Sequence, residues 1–273
     1  MGIKKYKNTS QARRKMSGAD FKEITAKKPQ KSLIVKNNRK RGHTKAGISV
    51  GQRGGGAKRL FRKIDFLQNK LNLSAKVVSI EYDPNRTARI AQIVFSDGEK
   101  RYILAPQGLK VTDSVIFADK TPVKTGNRAK LKNLPTGTVL HNIELNPGRG
   151  GQTVRSAGAS AQLLSKEGKY VTIQFPSREV KKVLAECSAS IGALSFPENS
   201  LIKIGKAGRK RWQNIRPKVR GVAMSPNAHP HGGGEGRSSV GMPSPKTPWG
   251  KPTKGYKTRK RQASDRLIVK KRK

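Results

Sequence analysis

Positive charge is spread along this chain so unevenly that it decides where a core can form. Residues 1–59 carry 18 basic and 2 acidic side chains, residues 60–198 carry 21 and 12, and residues 199–273 carry 21 and 2. Of a formal excess of +44, all but +9 lies in the two ends, and Asn199 to Gly234 contains no acid at all. Like charges at this density repel one another, so the ends need a polyanion before they can order. The middle segment balances its charge, and hydrophobic periodicity concentrates there. The expected organisation is a folded core with two basic, Gly/Pro-rich extensions that are disordered alone and fold on binding.

The core reads as β. In residues 76–104, Val78, Ile80 and Tyr82 alternate with Val77, Ser79 and Glu81, and Asp83-Pro84-Asn85 supplies a turn. Ala91, Ile93 and Phe95 alternate again before Ser96-Asp97-Gly98, and Tyr102 and Leu104 continue the pattern. Period two bounded by turn residues predicts an antiparallel meander. Thr138–Leu145, Tyr170–Phe175 and Val180–Glu186 form a second set of short, β-branched-rich strands. Two such sets suggest two small closed barrels, which remove unpaired edges. Helix is expected only at residues 20–26, capped by Asp20 with Glu23 behind it, and for one or two turns at 160–166. The terminal "LIVKKRK" (267–273) reads as a short strand, an arm in a groove or a solvated tail.

Nucleic acid is the commonest partner of so basic a chain; no apolar span or basic amphipathic helix favours a membrane, and the N-terminus lacks the apolar stretch of an export signal. Cys187 is the only cysteine, which excludes an intrachain disulfide and a Cys-based zinc knuckle, and it reads as a buried small hydrophobe. Four glycine clusters sit beside cations: "QRGGGAKR" (52–59), "NPGRGGQ" (146–152), "GKAGRKRW" (205–212) and "HPHGGGEGR" (229–237). Glycine lets the main chain approach a phosphate while the flanking cations supply charge; tight turns are the alternative. Neither GxxxxGK[ST] nor GxGxxG after a strand occurs, so nucleotide-triphosphate chemistry has no support. Trp212 and Trp249 lie among cations and prolines, suited to stacking on an exposed base or to anchoring a loop. With no recognition helix or zinc-finger spacing, backbone and shape recognition of a folded RNA fits best.

Eight stretches then carry a resemblance: "GIKKYKNTS", "RGGGAKRLFRKIDF" (53–66), "SIEYDPNRTARIA" (79–91), "GEKRYILAP" (98–106), "RSAGASAQLLSKEGKYV" (155–171), "KAGRKRWQNIRPKVRGVAM" (206–224), "HPHGGGEGR" (229–237) and "TPWGKPTKGYKTRKR" (247–261). In this order and nearly end to end, the chain resembles the universal "L two" (L2) family of large-subunit ribosomal proteins in its bacterial form. The resemblance implies a mainly β fold: a basic N-terminal extension (1–41), an OB-like barrel (42–122), an SH3-like barrel (123–200) and a basic C-terminal extension (201–273). It implies a structural, non-enzymatic constituent of the large ribosomal subunit, located in the cytoplasm within the ribosome. The implied partners are large-subunit rRNA, the small subunit at the intersubunit face and other ribosomal proteins, with no membrane partner, no homo-oligomer and no cofactor beyond rRNA-associated magnesium.

The rRNA-binding residues expected from these motifs fall in groups. Around the first glycine loop they are Arg53, Gly54, Gly55, Gly56, Lys58 and Arg59. From the core they are Arg86, Arg149 and Arg155. Lys206, Arg209, Lys210, Arg211, Trp212, Arg216, Lys218 and Arg220 open the C-terminal segment. His229, His231, Gly232, Gly233, Gly234 and Arg237 form the histidine loop, followed by Trp249, Lys257, Arg259, Lys260 and Arg261. Three departures accompany the resemblance. Ala57 replaces a usual histidine, Gly51-Gln52 a common basic pair, and Ala228 an acidic residue that would orient His229.

His229 and His231 admit four readings. A metal site needs two more donors, and His43, His141, Cys187 and distant carboxylates stand at no motif spacing. A general base, the role proposed within this family for the histidine aligning with His229, needs an orienting partner and a pocket, of which the sequence shows only Glu235 nearby. A plain turn needs only Pro230 and the glycines. The favoured reading is an RNA-packing loop, with His229 the sole catalytic candidate and no metal ligands assigned.

Overall fold

The computed structural model describes residues 2–36, 43–44, 47–48, 50–257, 260 and 262–272. They form two compact units: one of residues 1–38, 58–206 and 266–273, the other of residues 39–57 and 207–265. The fold is mainly β, an OB-like barrel followed by an SH3-like barrel.

In the first unit, β1 (Ile3–Lys5) pairs with β2 (Ser17–Ala19), and β3 (Ile34–Lys36) pairs with β6 (Leu60–Arg62). The first barrel is built on β7 (Leu73–Glu81), β8 (Ile90–Phe95), β9 (Lys100–Leu104) and β10 (Ser114–Phe117). The second uses β11 (Arg128–Lys130), β12 (Val139–His141), β13 (Ala161–Glu167), β14 (Tyr170–Gln174), β15 (Val180–Leu184) and β16 (Ser188–Ile191). A single parallel pairing, Phe117 with Arg128, joins the two sets into one continuous sheet. Each set has its own core: Val77, Ile93, Phe95, Ile103 and Phe117 in the first, Leu131, Leu140, Leu163, Ile173 and Cys187 in the second. The C-terminal "LIVK" supplies β17 (Ile268–Lys270), an edge strand on β15. In the second unit, β4 (His43–Thr44) pairs with β5 (Gly47–Ile48), and α1 (Ala207–Trp212) is the only α-helix among the described residues.

The expected meander forms, and on its first strand the buried set is the one that carries the polar residues. Ala75, Val77, Ser79 and Glu81 face inward on β7, whereas Val78 and Tyr82 are exposed. A register shift between Val77 and Ser79 accompanies this choice. The buried polar pair is satisfied: Ser79 Oγ donates to Glu81 Oε1 (3.0 Å), and the Tyr102 hydroxyl donates to Glu81 Oε2 (2.7 Å) while accepting from the Gln30 amide (2.8 Å). A fully hydrogen-bonded carboxylate is tolerated inside a barrel that an unpaired one would disrupt.

Neither expected helix exists. Residues 20–26 run as turn and extended chain because Thr25 and Ala26 donate their amides to the Ile80 carbonyl at the β7 edge. Phe21 packs edge-on to Tyr82 at 5.5 Å, and the buried Arg89 guanidinium lies over the rings of Phe21 and Phe196 at 5.2 and 4.4 Å. Residues 161–166 fall in β13, where Ala161 and Leu163 are buried and Gln162 and Leu164 exposed, a pairing-stabilised alternation. Two neighbouring strands outweigh a weak local helix preference.

The second barrel encloses an ion pair. Arg128 Nη2 lies 3.0 Å from Glu144 Oε1, and both side chains are almost wholly buried. Arg128 Nη1 also donates to the Asn142 carbonyl, and Glu144 Oε2 accepts the Ser188 amide, so the charges are held by several partners.

Candidate nucleic-acid interface

Three of the expected binding residues converge in the first unit. The Asp83-Pro84-Asn85 turn is tied down by Asn85, whose side chain donates to the Leu60 carbonyl, and by Arg59, which donates to the Pro84 carbonyl at 2.8 Å. Arg86 reaches back to Asp83 at 2.6 Å and lies over the Phe66 ring at 5.5 Å. Arg155 covers the same ring at 4.6 Å and donates to the Gly151 carbonyl. One aromatic ring therefore gathers two guanidiniums. Burial and then the like charge of Arg86 pull the Arg155 pKa down from its ordinary value. Phe66 itself is held by Gly151, whose amide donates to the Phe66 carbonyl. A Cβ at Gly151 would stand 1.9 Å from Asn142 Oδ1, so this glycine serves close packing.

In the second unit the first glycine loop folds against the segment that follows α1. Gly54 donates to the Asn214 carbonyl, Gly56 to Asn214 Oδ1 at 2.9 Å, and Ala57 to the Trp212 carbonyl. Arg53 bridges Ile215, and a Cβ on Gly56 would meet Asn214 at 2.3 Å. These amides are spent within the chain. Arg53 and Lys58 are exposed, and Arg211 is placed 3.2 Å from where a Gly55 Cβ would sit. Trp212 is largely exposed at the end of α1.

The histidine loop has its own internal order. His229 Nδ1 accepts the His231 amide at 3.0 Å, and His231 Nε2 accepts the Lys246 amide at 2.8 Å. A backbone N–H only donates, so Nδ1 of His229 and Nε2 of His231 each act as the acceptor, opposite ring positions in the two residues. The rings lie 4.7 Å apart, and His229 packs on Gly221, where a Cβ would meet the imidazole at 2.6 Å. Gly232 donates to the His229 carbonyl and Gly233 to that of Met224. His229 is the only buried residue of the second unit among the described residues, so it is this loop's core. Further on, Thr247 and Lys251 close a turn that lifts Trp249, 83% exposed, to its tip.

Two family models match this sequence. One, described as Ribosomal Proteins L2, RNA binding N-terminal domain, covers residues 30–117, and the other, Ribosomal Proteins L2, C-terminal domain, covers residues 124–250. The chain belongs to the ribosomal protein L2 family. It is thus a ribosomal, RNA-binding protein of the large subunit that functions in translation, a structural component and not a classical enzyme. The first L2 match takes in the glycine loop, Phe66 and the first barrel; the second takes in the second barrel, α1 and the histidine loop.

The remaining expected positions of this L2 protein are dispersed. Arg149 sits on the turn whose amide donates to Asn146, and Lys218, Arg220, Arg237, Lys257 and Lys260 are exposed. Lys206 and Arg209 have partners within the protein, Lys210 is part of α1, and the Arg216 amide donates to Gln52. Gly234 adopts φ +86, close against Ser238. Arg259 and Arg261 lie outside the described residues. Among the described residues, no three His, Cys, Asp or Glu side chains stand together as a metal site, and no helix is long and apolar enough to cross a membrane. Sequence reasoning missed Phe66 and Asn214. Both are uncharged, and their roles arise from residues far away in the chain.

Proposed function

We propose that this L2 protein braces large-subunit rRNA as a primary binder, supports subunit association and tRNA binding, and directs its histidine loop towards the peptidyl transferase region. It acts in the cytoplasm as a single copy per particle, touching the small subunit and other ribosomal proteins, with no cofactor beyond rRNA-associated magnesium. One observation carries the bracing role. The second unit holds 19 basic and 2 acidic residues, and the only buried residue among those described is His229. A body without an apolar core and with that charge density draws its order from a polyanion.

The loop geometry favours binding over chemistry at His229. Its Nδ1 is engaged by the His231 amide, and the ring is buried against Gly221. A general base needs a lone pair aimed at a substrate proton.

Filter binding of the full chain to a large-subunit rRNA fragment tests the reading. With even 6–10 phosphate contacts, affinity should fall by on the order of 10³–10⁵ between about 50 and 200 mM salt, somewhat less for RNA than for duplex DNA. The fragment should also outcompete tRNA of equal length. A flat salt response, or equal competition by tRNA, overturns specific rRNA bracing.

A further inference from the structure

We propose that the cavity beside the N-terminal hairpin is a pocket for one unpaired nucleotide of an RNA strand. The proposal rests on the rRNA-binding reading and adds a site to it, outside both family matches for most of its lining.

The hairpin is well determined by its own bonds. β1 and β2 pair from Ile3–Ala19 to Lys5–Ser17, and the Tyr6 amide extends the ladder to the Met16 carbonyl. Between them the chain turns tightly, with Arg13 and Arg14 both donating to the Ser10 carbonyl and Met16 donating to that of Arg13. The other wall is residues 201–203, fixed because the Ser17 amide donates to the Lys203 carbonyl and the Lys203 amide to Ser17 Oγ. Gly205 closes this wall: it adopts φ +80, and a Cβ there would stand 2.8 Å from the Ala12 carbonyl oxygen. The half-open cleft between the hairpin and this wall measures about 620 Å³, within the range of small-molecule sites.

Its lining is divided by chemistry. Ile3, Met16, Leu201 and the Tyr6 ring contribute apolar and aromatic surface, with the Arg13 guanidinium 5.9 Å from the Tyr6 ring centre. Lys5, Lys7, Arg14, Lys15 and Lys203 contribute five cations, and no acid lines the cavity. Among the described residues none of these five is ion-paired to a carboxylate, although Lys70, Lys130 and Lys182 of the same unit are. Leu201 is 65% exposed, a large aliphatic left in water at the end of the 3-10 segment Pro197–Leu201.

A nucleotide within a strand matches both halves. Its base is a flat, largely apolar plate that stacks on an aromatic ring, and its two phosphodiesters meet cations on either side. A base inside a duplex cannot enter, so the occupant is unpaired or extruded. A free nucleoside triphosphate fits less well, because no carboxylate is present to help hold its magnesium. An acidic peptide would satisfy the lysines and leave the apolar floor without a flat partner.

The test is photocrosslinking of the full-length protein to a single-stranded RNA heptamer carrying one central 5-iodouridine, with crosslinked peptides mapped by mass spectrometry. Competitors are the matching duplex, ATP with magnesium, and a poly-glutamate peptide of equal charge. The expected result is a crosslink within residues 1–19 that the unlabelled heptamer abolishes and the other three leave in place. Tyr6→Ala should lower that crosslink about tenfold, the lower part of the range for losing one stacking platform. Leu201→Glu, on an exposed side chain that folding does not need, should do the same, and Tyr6→Trp should restore the signal. Affinity for the rRNA fragment is measured on the same samples. Intact rRNA binding with no crosslink in residues 1–19, or better competition by ATP or the peptide, overturns the pocket alone. Loss of salt-sensitive rRNA binding by the wild-type chain overturns the broader reading instead.

Discussion

His141 shows how one buried residue sets a pH dependence. Its ring is enclosed in the second barrel, Nδ1 lies 2.9 Å from the Gly192 carbonyl, and burial pushes its pKa down from 6.5 to about 4. The unfolded chain therefore takes up a proton first as pH falls. Stability is complete above about pH 6.5 and is lost progressively down to about pH 4, by on the order of 3 kcal/mol in total. Urea midpoints at pH 7 and pH 5 should differ less for His141→Asn than for the wild type, whatever the variant's stability at pH 7. Cys187 is the opposite kind of group, a buried thiol pushed up to about 11 by burial and hence inert in the folded barrel. At the histidine loop, sterics decide. A Cβ on Gly232 would lie 2.3 Å from the Ser225 carbonyl oxygen, backbone against backbone, whereas His229→Ala removes one acceptor and a packed ring. Gly232→Ala should impair incorporation into reconstituted large subunits more than His229→Ala. Single-turnover peptide-bond formation, normalised to incorporated protein, should slow less than tenfold with His229→Ala, because one neutral hydrogen bond contributes about 1 kcal/mol. A hundredfold slowing would identify a general base.

At the scale of the element, β7 is the informative case. Val78 and Ile80 of this strand, with Tyr82 just beyond its end, suggest one inward face, yet the strand buries Val77 together with Ser79 and Glu81. The exchange works because Ser79 and the distant Tyr102 donate to the buried carboxylate, and the Gln30 amide donates in turn to the Tyr102 hydroxyl. Val77→Ala should therefore destabilise by roughly 2 kcal/mol, two methyl groups plus part of a cavity, while Val78→Ala should stay within about 0.5 kcal/mol. Chemical denaturation of the two variants checks the order, and the reverse order would restore the phase that periodicity suggests. The C-terminal strand β17 makes a related point. Its sequence allows a strand, an arm or a free tail, and the β15 edge selects the strand.

For the whole molecule, charge and burial divide the chain along different lines. Met16 is the only buried hydrophobic residue, among those described, outside residues 58–206. A fragment of residues 58–206 should therefore fold alone, with cooperative melting and protected amides in both barrels. It should melt below the full chain, because it loses β1 to β3 and the Phe21 ring beneath Arg89. Adding rRNA to the full chain should extend amide protection into residues 207–257 and leave the barrel amides unchanged. A fragment that lacks cooperative melting would show that the terminal segments complete the cores.

The amino-acid sequence by itself determined the β class, the second set of strands, the basic ends and the motifs that mark the L2 family. All of these depend on local periodicity or on the identity of short stretches, which are readable in one dimension. Tertiary structure alone decided the phase of β7, the strand at 161–167 in place of a helix, and the internal use of the Gly54 and Gly56 amides by Asn214. It also decided that His229 and His231 receive backbone amides as partners, although Ala228 offers them no carboxylate. The physical reason is common to these cases. A buried polar group or a free amide takes whichever partner the folded chain brings within about 3 Å, and that partner is often far away in sequence.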